Sequence, residues 1–321
     1  MADTPLVEVR DLDMAFPVGR AGGRPVMMQV LKQLSFDIAP GETLGLVGES
    51  GSGKSTIGRI LVGLLEPTAG SVKLFGRDIT GADRKANLAA VRARLQFVFQ
   101  DPQAALNPRM RVGESIAEPL DIAGGQSDRQ ARIRELLEMV GLPKDSAERF
   151  PHEFSGGQRQ RIVIARALAL KPDFVVCDEP VSALDVSMQA QIVNLLQDLQ
   201  ARLGLGYLFI AHDLAVVRAV AHRLAVMYAG SLVEVAPRAA LYRSPQHPYT
   251  QALLDAVPRP DPDRIRRPVI GGEVPSLLDP PPGCRFHTRC PHAMPRCRVE
   301  VPLLRQTGPG HFTACHLTTQ P

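Results

Sequence analysis

Short apolar runs, set off by glycines, prolines and single charged residues, recur along this chain. Their spacing predicts alternating strands and helices. Residues 6–10 and 34–38 alternate apolar and polar side chains and read as half-buried strands. The glycines and prolines of 17–25 between them predict a loop, with Phe16 at its edge. Residues 43–47 read as a buried strand and 57–62 as the start of a helix. Strands are predicted again at 71–75 and at 95–99, the second ending at Gln100. Residues 112–150 change character. Ile133, Leu136, Leu137 and Val140 fall on one face of a helix over 130–140, which Gly141 and Pro143 stop. A helix over 159–170 follows, with Ser155 as its N-cap and Pro172 beyond its end. Residues 174–177 form a continuous apolar run, a buried strand. A turn at 182–185 leads into a helix whose buried stripe is Ile192, Leu195, Leu196, Leu199 and Leu203. Another buried strand is predicted over 207–211, then a hairpin of 223–228 and 231–235 around Ala229-Gly230. Residues 236–321 are rich in proline, and little regular structure is expected there.

A chain of 321 residues holds one large domain with an appendage, or two domains. Apolar content of 45% and charged content of 22% place it among soluble globular proteins. It has no run of eighteen apolar residues, and its first residues show no basic segment followed by an apolar core. A cytoplasmic protein is the expectation. A net charge of +4 is too small to imply nucleic-acid binding.

The strongest chemical signal is Gly48-Glu49-Ser50-Gly51-Ser52-Gly53-Lys54-Ser55-Thr56, which fits the phosphate-binding P-loop between a strand and a helix. Its glycines let backbone N–H groups approach a ligand at a helix N-terminus, where partial positive charge favours phosphate. Lys54 is placed to reach the β- and γ-phosphates of a nucleotide, and Ser55 to ligate Mg²⁺. Further along, Ser155-Gly156-Gly157-Gln158 opens a second helix N-terminus of the same kind. One nucleotide needs one such site, so two in one chain suggest sharing across a dimer. Asp178 and Glu179 end a buried strand, where one carboxylate can hold Mg²⁺ through water and the next can activate an attacking water. Gln100 and His212 end two other strands, where α/β sheets place ligand groups. Asp185 reads as a helix cap or a partner contact, and capping is the better reading. Phe16 reads equally as a core aromatic or as an adenine-stacking ring. Cys177, inside a strand, reads as a small core residue.

Cys284, Cys290, Cys297 and Cys315 crowd the C-terminus at spacings of five, six and seventeen intervening residues. In a reducing compartment such a cluster suits a metal better than disulfides. The spacing is neither the zinc pair pattern nor the common ferredoxin one, so it leaves a four-thiolate metal site and free thiols both open.

Taken in order, the P-loop at 48–56, Gln100, Ser155-Gly156-Gly157-Gln158, the strand and carboxylates at 174–179, the 182–185 loop and His212 resemble the ATP-binding subunits of ABC transporters. The resemblance covers nearly the whole chain. It is closer still to the subgroup serving oligopeptide and dipeptide importers, through 97–102, Leu106-Asn107-Pro108-Arg109, Pro151-His152-Glu153-Phe154, His247-Pro248-Tyr249-Thr250, 272–276 and 283–291. It implies an α/β fold: a P-loop NTPase (RecA-like) core with an antiparallel β subdomain, an inserted helical subdomain and a Pro/Cys-rich C-terminal extension. The ATPase domain would span 1–236, with the helical subdomain at about 101–160, and the extension 237–321. It implies ATP and Mg²⁺ as cofactors, with Ser55, Gln100 and Asp178 about the ion, and Glu179, Gln100 and His212 as catalytic residues. ATP would lie against residues 48–56 and Phe16 of one chain and against Ser155-Gly156-Gly157-Gln158 of a second ATPase subunit, identical or related. Asp185 would lie in the dimer loop. Two transmembrane permease subunits and an extracytoplasmic peptide-binding protein would complete the complex, with this chain peripheral on the cytoplasmic face of the inner membrane. Similar tails in the family carry a [4Fe–4S] cluster, which the four cysteines would hold, zinc being the alternative.

Relatives of this kind also import nickel, glutathione or short oligosaccharides. A soluble ABC-type ATPase of DNA repair or translation would carry two ATPase halves or a long coiled-coil insertion; this chain has one P-loop and no sustained heptads. A metal-binding module with ATP as a structural ligand would not need Asp178, Glu179 and His212.

Overall fold

The alternation of apolar and polar side chains sorts this chain into two sheets and a helical layer. The computed structural model describes residues 4–124, 128–256 and 271–319. In chain order, β1 (Val7–Ala21) and β2 (Arg24–Ile38) form a long hairpin, followed by β3 (Thr43–Val47) and α1 (Lys54–Leu61). Next come β4 (Ala69–Leu74), β5 (Arg77–Asp78), α2 (Arg84–Val91), β6 (Leu95–Val98) and the single turn α3 (Pro102–Ala105). The helical layer is α4 (Val112–Ile122), α5 (Arg129–Met139) and α6 (Gly156–Ala167). The chain then runs through β7 (Phe174–Asp178), α7 (Val186–Leu203), β8 (Gly206–Ala211), α8 (Leu214–Val220), β9 (Arg223–Tyr228) and β10 (Ser231–Pro237). The last segment holds α9 (Arg238–Arg243), α10 (Pro248–Ala256), β11 (Arg305–Gly308) and β12 (His311–Thr313).

The smaller sheet is antiparallel, in the order β2-β1-β4-β5. The larger has eight strands, in the order β11-β12-β10-β9-β3-β8-β7-β6. From β6 to β9 it is parallel, and from β9 onward antiparallel. β3, β7 and β8 are buried along their whole length, as expected of parallel strands covered on both faces. Successive side chains go to opposite faces. Leu208 and Ile210 pack with Val7, Leu12 and Leu31 of the small sheet. Tyr207 and Phe209 pack with Ile116, Leu136 and Ile162 of the helical layer.

Three expectations needed correction. Residues 17–25 are mostly strand: β1 and β2 continue to a turn at Gly22-Gly23, with Pro17 opposite Met27 and Pro25 opposite Arg20. Past Asp13 opposite Ala69, β1 pairs with β2 alone, so both prolines sit where one side of the ribbon is open and needs no donor. Leu203 is 45% exposed, because it ends α7 one residue before the Gly204 cap, past the buried stripe. The tail is more regular than its prolines imply. β12 pairs with β10 through Glu234–Thr313 and Val235–Phe312 and extends the large sheet. Tyr249 and Phe286 are buried in the same cluster as Phe209 and Ile162. Part of the proline-rich stretch, residues 257–270, lies outside the described residues.

Candidate functional site

The loop from Gly48 to Gly53 leaves the carboxyl end of β3, a central strand of the large sheet. Only glycine fits two of its turns. A Cβ on Gly48 would stand 2.2 Å from the Met227 carbonyl oxygen. Gly53 caps α1 at φ 100°, with Leu31 Cδ2 2.6 Å from where its Cβ would be. Lys54 folds back over the loop, its Nζ donating to the carbonyls of Gly48 (2.7 Å) and Glu49 (2.9 Å). It is 5% exposed. Burial lowers its pKa, and the carboxylates of Glu179, Asp178 and Glu49 oppose that shift. Ser50 and Gly51 face solvent at the loop tip, Ser52 is buried, and Ser55 and Thr56 are half-buried.

Three further strands bring their ends to this loop. Ser55 Oγ donates to Asp178 Oδ1 at 2.9 Å. Burial raises the Asp178 pKa, against the Ser55 hydrogen bond, which lowers it. Next to it, Glu179 takes φ 47°, a left-handed conformation that costs a carboxylate-bearing residue about 1–3 kcal/mol. Ile210 holds it there by accepting from the Glu179 amide at 2.9 Å. The turn turns the Glu179 carboxylate toward Gln100 and His212. Gln100 Nε2 donates to Glu179 Oε2 at 3.1 Å, and His212 Nδ1 lies 3.3 Å from the same oxygen. The oxygen donors of Ser55, Asp178 and Gln100 suit a hard divalent cation such as Mg²⁺.

The remaining predicted residues fall elsewhere. Ser155 caps α6 through a reciprocal pair: its Oγ accepts from Gln158 N at 3.3 Å, and its N donates to Gln158 Oε1 at 2.9 Å. Ser155, Gly156 and Gln158 are exposed, and Gly157 is buried. Asp185 caps α7, accepting from Met188 N at 2.9 Å, and this hydrogen bond lowers its pKa. Phe16 is half-buried on β1 opposite Met28, against the small sheet's core. A cavity of about 620 Å³ opens elsewhere, between the small sheet and the tail, lined by Lys32, Phe36, Arg223 and Phe312 among others. It shares none of the residues above, so the chemistry rather than the cavity locates the site.

Sequence reasoning missed the residues that approach the P-loop from beyond position 236. The Glu49 amide donates to Tyr249 Oη at 2.9 Å, and the Glu49 carboxylate is paired with Arg289 Nη1 at 2.8 Å. Arg285 donates to the Ala229 carbonyl, and the next residue, Gly230, donates to Ser52 O at 3.0 Å. Tyr249, Arg285 and Arg289 lie within segments singled out above only for their resemblance, and nothing in their local pattern points to the P-loop.

The five cysteines are free thiols, Cys177 fully buried within β7. Burial pushes the Cys284 thiol up to about 11, and the charges of Cys297, Cys315 and Cys290 add to the rise, so the four tail cysteines share one neighbourhood. Burial raises Cys290 and Cys315 as well. Four thiols suit a soft metal in kind. Among the described residues, however, no three histidine, cysteine or acidic side chains are arranged to hold a metal ion.

Comparison with known proteins places these features in a family. Residues 31–182 match the ABC transporter family, and residues 233–297 match the oligopeptide/dipeptide transporter C-terminal region. The chain belongs to the ATP-binding subunits of ABC transporters and is an ATPase. A protein of Brucella abortus (strain 2308), provisionally named a peptide import ATP-binding protein, is 61% identical over 311 residues, 96% of this chain and 92% of that one. A protein of Brucella ovis with the same kind of name is 53% identical over 318 residues, 98% of each. Among solved structures, an ATP-binding cassette captured as a dimer in a post-hydrolysis state with ADP and phosphate aligns with a TM-score of 0.64. The two are 30% identical over 72% of this chain and 98% of that one. No described helix is long and apolar enough to cross a membrane.

Proposed function

We propose that this chain hydrolyses ATP to drive import of dipeptides or oligopeptides through a membrane complex. The observation that carries the reading is convergence: Lys54, Ser55, Asp178, Glu179, Gln100 and His212 meet at the carboxyl ends of adjoining parallel strands. Residues 48–56 cradle the triphosphate, with Lys54 on the β- and γ-phosphates. Ser55, Asp178 and Gln100 would hold Mg²⁺, which would neutralise phosphate charge. Glu179 orients and polarises the attacking water. General-base help of this kind contributes about 10²–10⁴-fold in rate. His212 holds the Glu179 carboxylate and contacts the γ-phosphate. Phe16 flanks the base.

Ser155-Gly156-Gly157-Gln158, exposed at the start of α6, caps the nucleotide of a second ATPase subunit, and Asp185 lies in the loop between subunits. The ATPase domain is residues 1–236, with the helical part near 101–160 facing two permease subunits; 237–321 is an extension. The chain sits peripherally at the cytoplasmic face of the inner membrane, and an extracytoplasmic binding protein delivers the peptide. The peptide-import naming of the relatives supports the cargo. The four tail thiols suit a [4Fe–4S] cluster, or zinc, in kind but not in the arrangement described above, and metal analysis of anaerobically purified protein tests for either.

The test is uptake in cells carrying Glu179→Gln. Labelled tripeptide uptake falls by at least about 10²-fold while labelled nickel uptake is unchanged. Lost nickel uptake with retained peptide uptake would move the cargo to the metal.

A further inference from the structure

We infer that Arg289 and Tyr249 are positioning residues of the nucleotide site: the C-terminal extension holds the P-loop in the shape that receives ATP. The inference rests on the P-loop reading above. Glu49 is the residue held. Its amide donates to Tyr249 Oη (2.9 Å), its carboxylate meets Arg289 Nη1 (2.8 Å), and its carbonyl accepts from Lys54 Nζ (2.9 Å). Two of these three ties come from 200 and 240 residues downstream, and the third belongs to the lysine that must reach the phosphates.

The ties are set firmly. The Arg289 side chain is 7% exposed and Glu49 25%, so the pair is shielded from the water that weakens surface ion pairs. Arg289 is itself held from the other side, Nε donating to Gly271 O at 3.2 Å and Nη1 also reaching Tyr228 Oη at 3.3 Å. Tyr228 meets Tyr249 and Phe286 edge to face, with centroids 4.7 and 5.1 Å apart, and Phe286 lies tilted against Tyr249 at 5.4 Å, which together fix the Tyr249 ring. A second strut runs in parallel, from Arg285 through the Ala229-Gly230 turn to Ser52 O. With the Arg289 tie removed, the Glu49 carboxylate loses its anchor and only the Tyr249 and Lys54 contacts still hold its backbone. The loop then samples more shapes, and part of the binding energy of ATP goes into ordering it.

The experiment is a double-mutant cycle on the full chain, with MgATP binding measured by equilibrium dialysis and melting temperature measured alongside. Arg289→Ala weakens ATP binding roughly tenfold, about 1.4 kcal/mol, and raises KM for ATP by a similar factor with kcat within about twofold. In a Glu49→Ala background the same substitution adds less than about twofold, since its partner is already gone. Arg289→Lys recovers part of the affinity. Tyr249→Phe, which removes only a hydroxyl, weakens ATP binding to a lesser degree at an unchanged melting temperature, and serves if Arg289→Ala lowers that temperature. ATP affinity unchanged in Arg289→Ala and Tyr249→Phe, or equal weakening by Arg289→Ala with and without Glu49, overturns the inference. Lys54→Ala separates the two readings. If it binds ATP like the wild type, the phosphate cradle fails; if it loses ATP while Arg289→Ala does not, only the positioning role fails.

Discussion

Glu179 leaves its strand at an angle, through φ 47°, as the proposed role beside an attacking water would require. The strand, the sequence Asp178-Glu179-Pro180 and the need for an acid at that point are all legible in the chain. The left-handed turn is not, because it is imposed by Ile210 on the next strand. Lys54, Ser55, Gln100 and His212 were legible for the same reason as Glu179: each ends a predicted strand or opens a predicted helix. Arg289 and Tyr249 were not, since their contacts are set by tertiary packing and lie 200 or more residues from the loop they touch. His247 belongs to the same scale. It is fully buried, and burial depresses its pKa to about 3 from 6.5. Its Nδ1 accepts from the Tyr249 amide at 3.0 Å, which requires the neutral ring. The unfolded chain takes up a proton below pH 6.5 that the folded chain refuses until about pH 3, so stability is lost as pH falls through that window. Between pH 7 and pH 5 the loss is about 2 kcal/mol. In urea unfolding, His247→Gln should show this acid sensitivity reduced by that amount.

At the scale of elements, the buried strands were the clearest features, because continuous apolar runs bounded by polar residues have few other readings. The distal arms of the β1–β2 hairpin were misread for the opposite reason. Pro17, Gly19, Gly22, Gly23 and Pro25 carry loop chemistry, and the open ribbon tolerates them. The short strands of the tail were missed because three or four residues give no periodicity; docking on β10 makes them strands. That docking turns on Glu234, which is fully buried and accepts from Gln246 N (2.8 Å), His247 N (2.9 Å) and His311 Nε2 (2.6 Å). Removing one of three donors to a buried carboxyl costs that hydrogen bond, about 1.5–3 kcal/mol, while the two backbone donors remain. His311→Ala should therefore lower unfolding free energy by about 2 kcal/mol. Hydrogen exchange at β12 should rise to the rate of an unpaired strand. Unchanged exchange there would mean that β12 is held by its backbone ladder alone.

For the whole molecule, the exposed cap of α6 and the exposed tip of the P-loop are two half-surfaces on one chain, which suits a head-to-tail pair in which each copy completes the other. The expected outcome is that Glu179→Gln with MgATP elutes at twice the mass seen with MgADP, and that Ser155→Arg abolishes the shift. Light scattering after size exclusion reads this directly. A ligand moves such an equilibrium only through its different affinity for the two states, so in the proposed pair trapped ATP would hold the copies together and hydrolysis would release them.

The order of strands also bears on how the chain is made. β3 sits between β8 and β9, and the loop that follows it leans on Tyr249 and Arg289. At a synthesis rate of about 5–20 residues per second, the ribosome delivers β8 roughly ten to thirty seconds after β3, and Arg289 later again. Through that interval β3 has neither of its sheet neighbours, and the glycine loop after it lacks the groups that brace it. On the positioning reading above, the P-loop would gain its full shape only once Arg289 has emerged, long after its own strand.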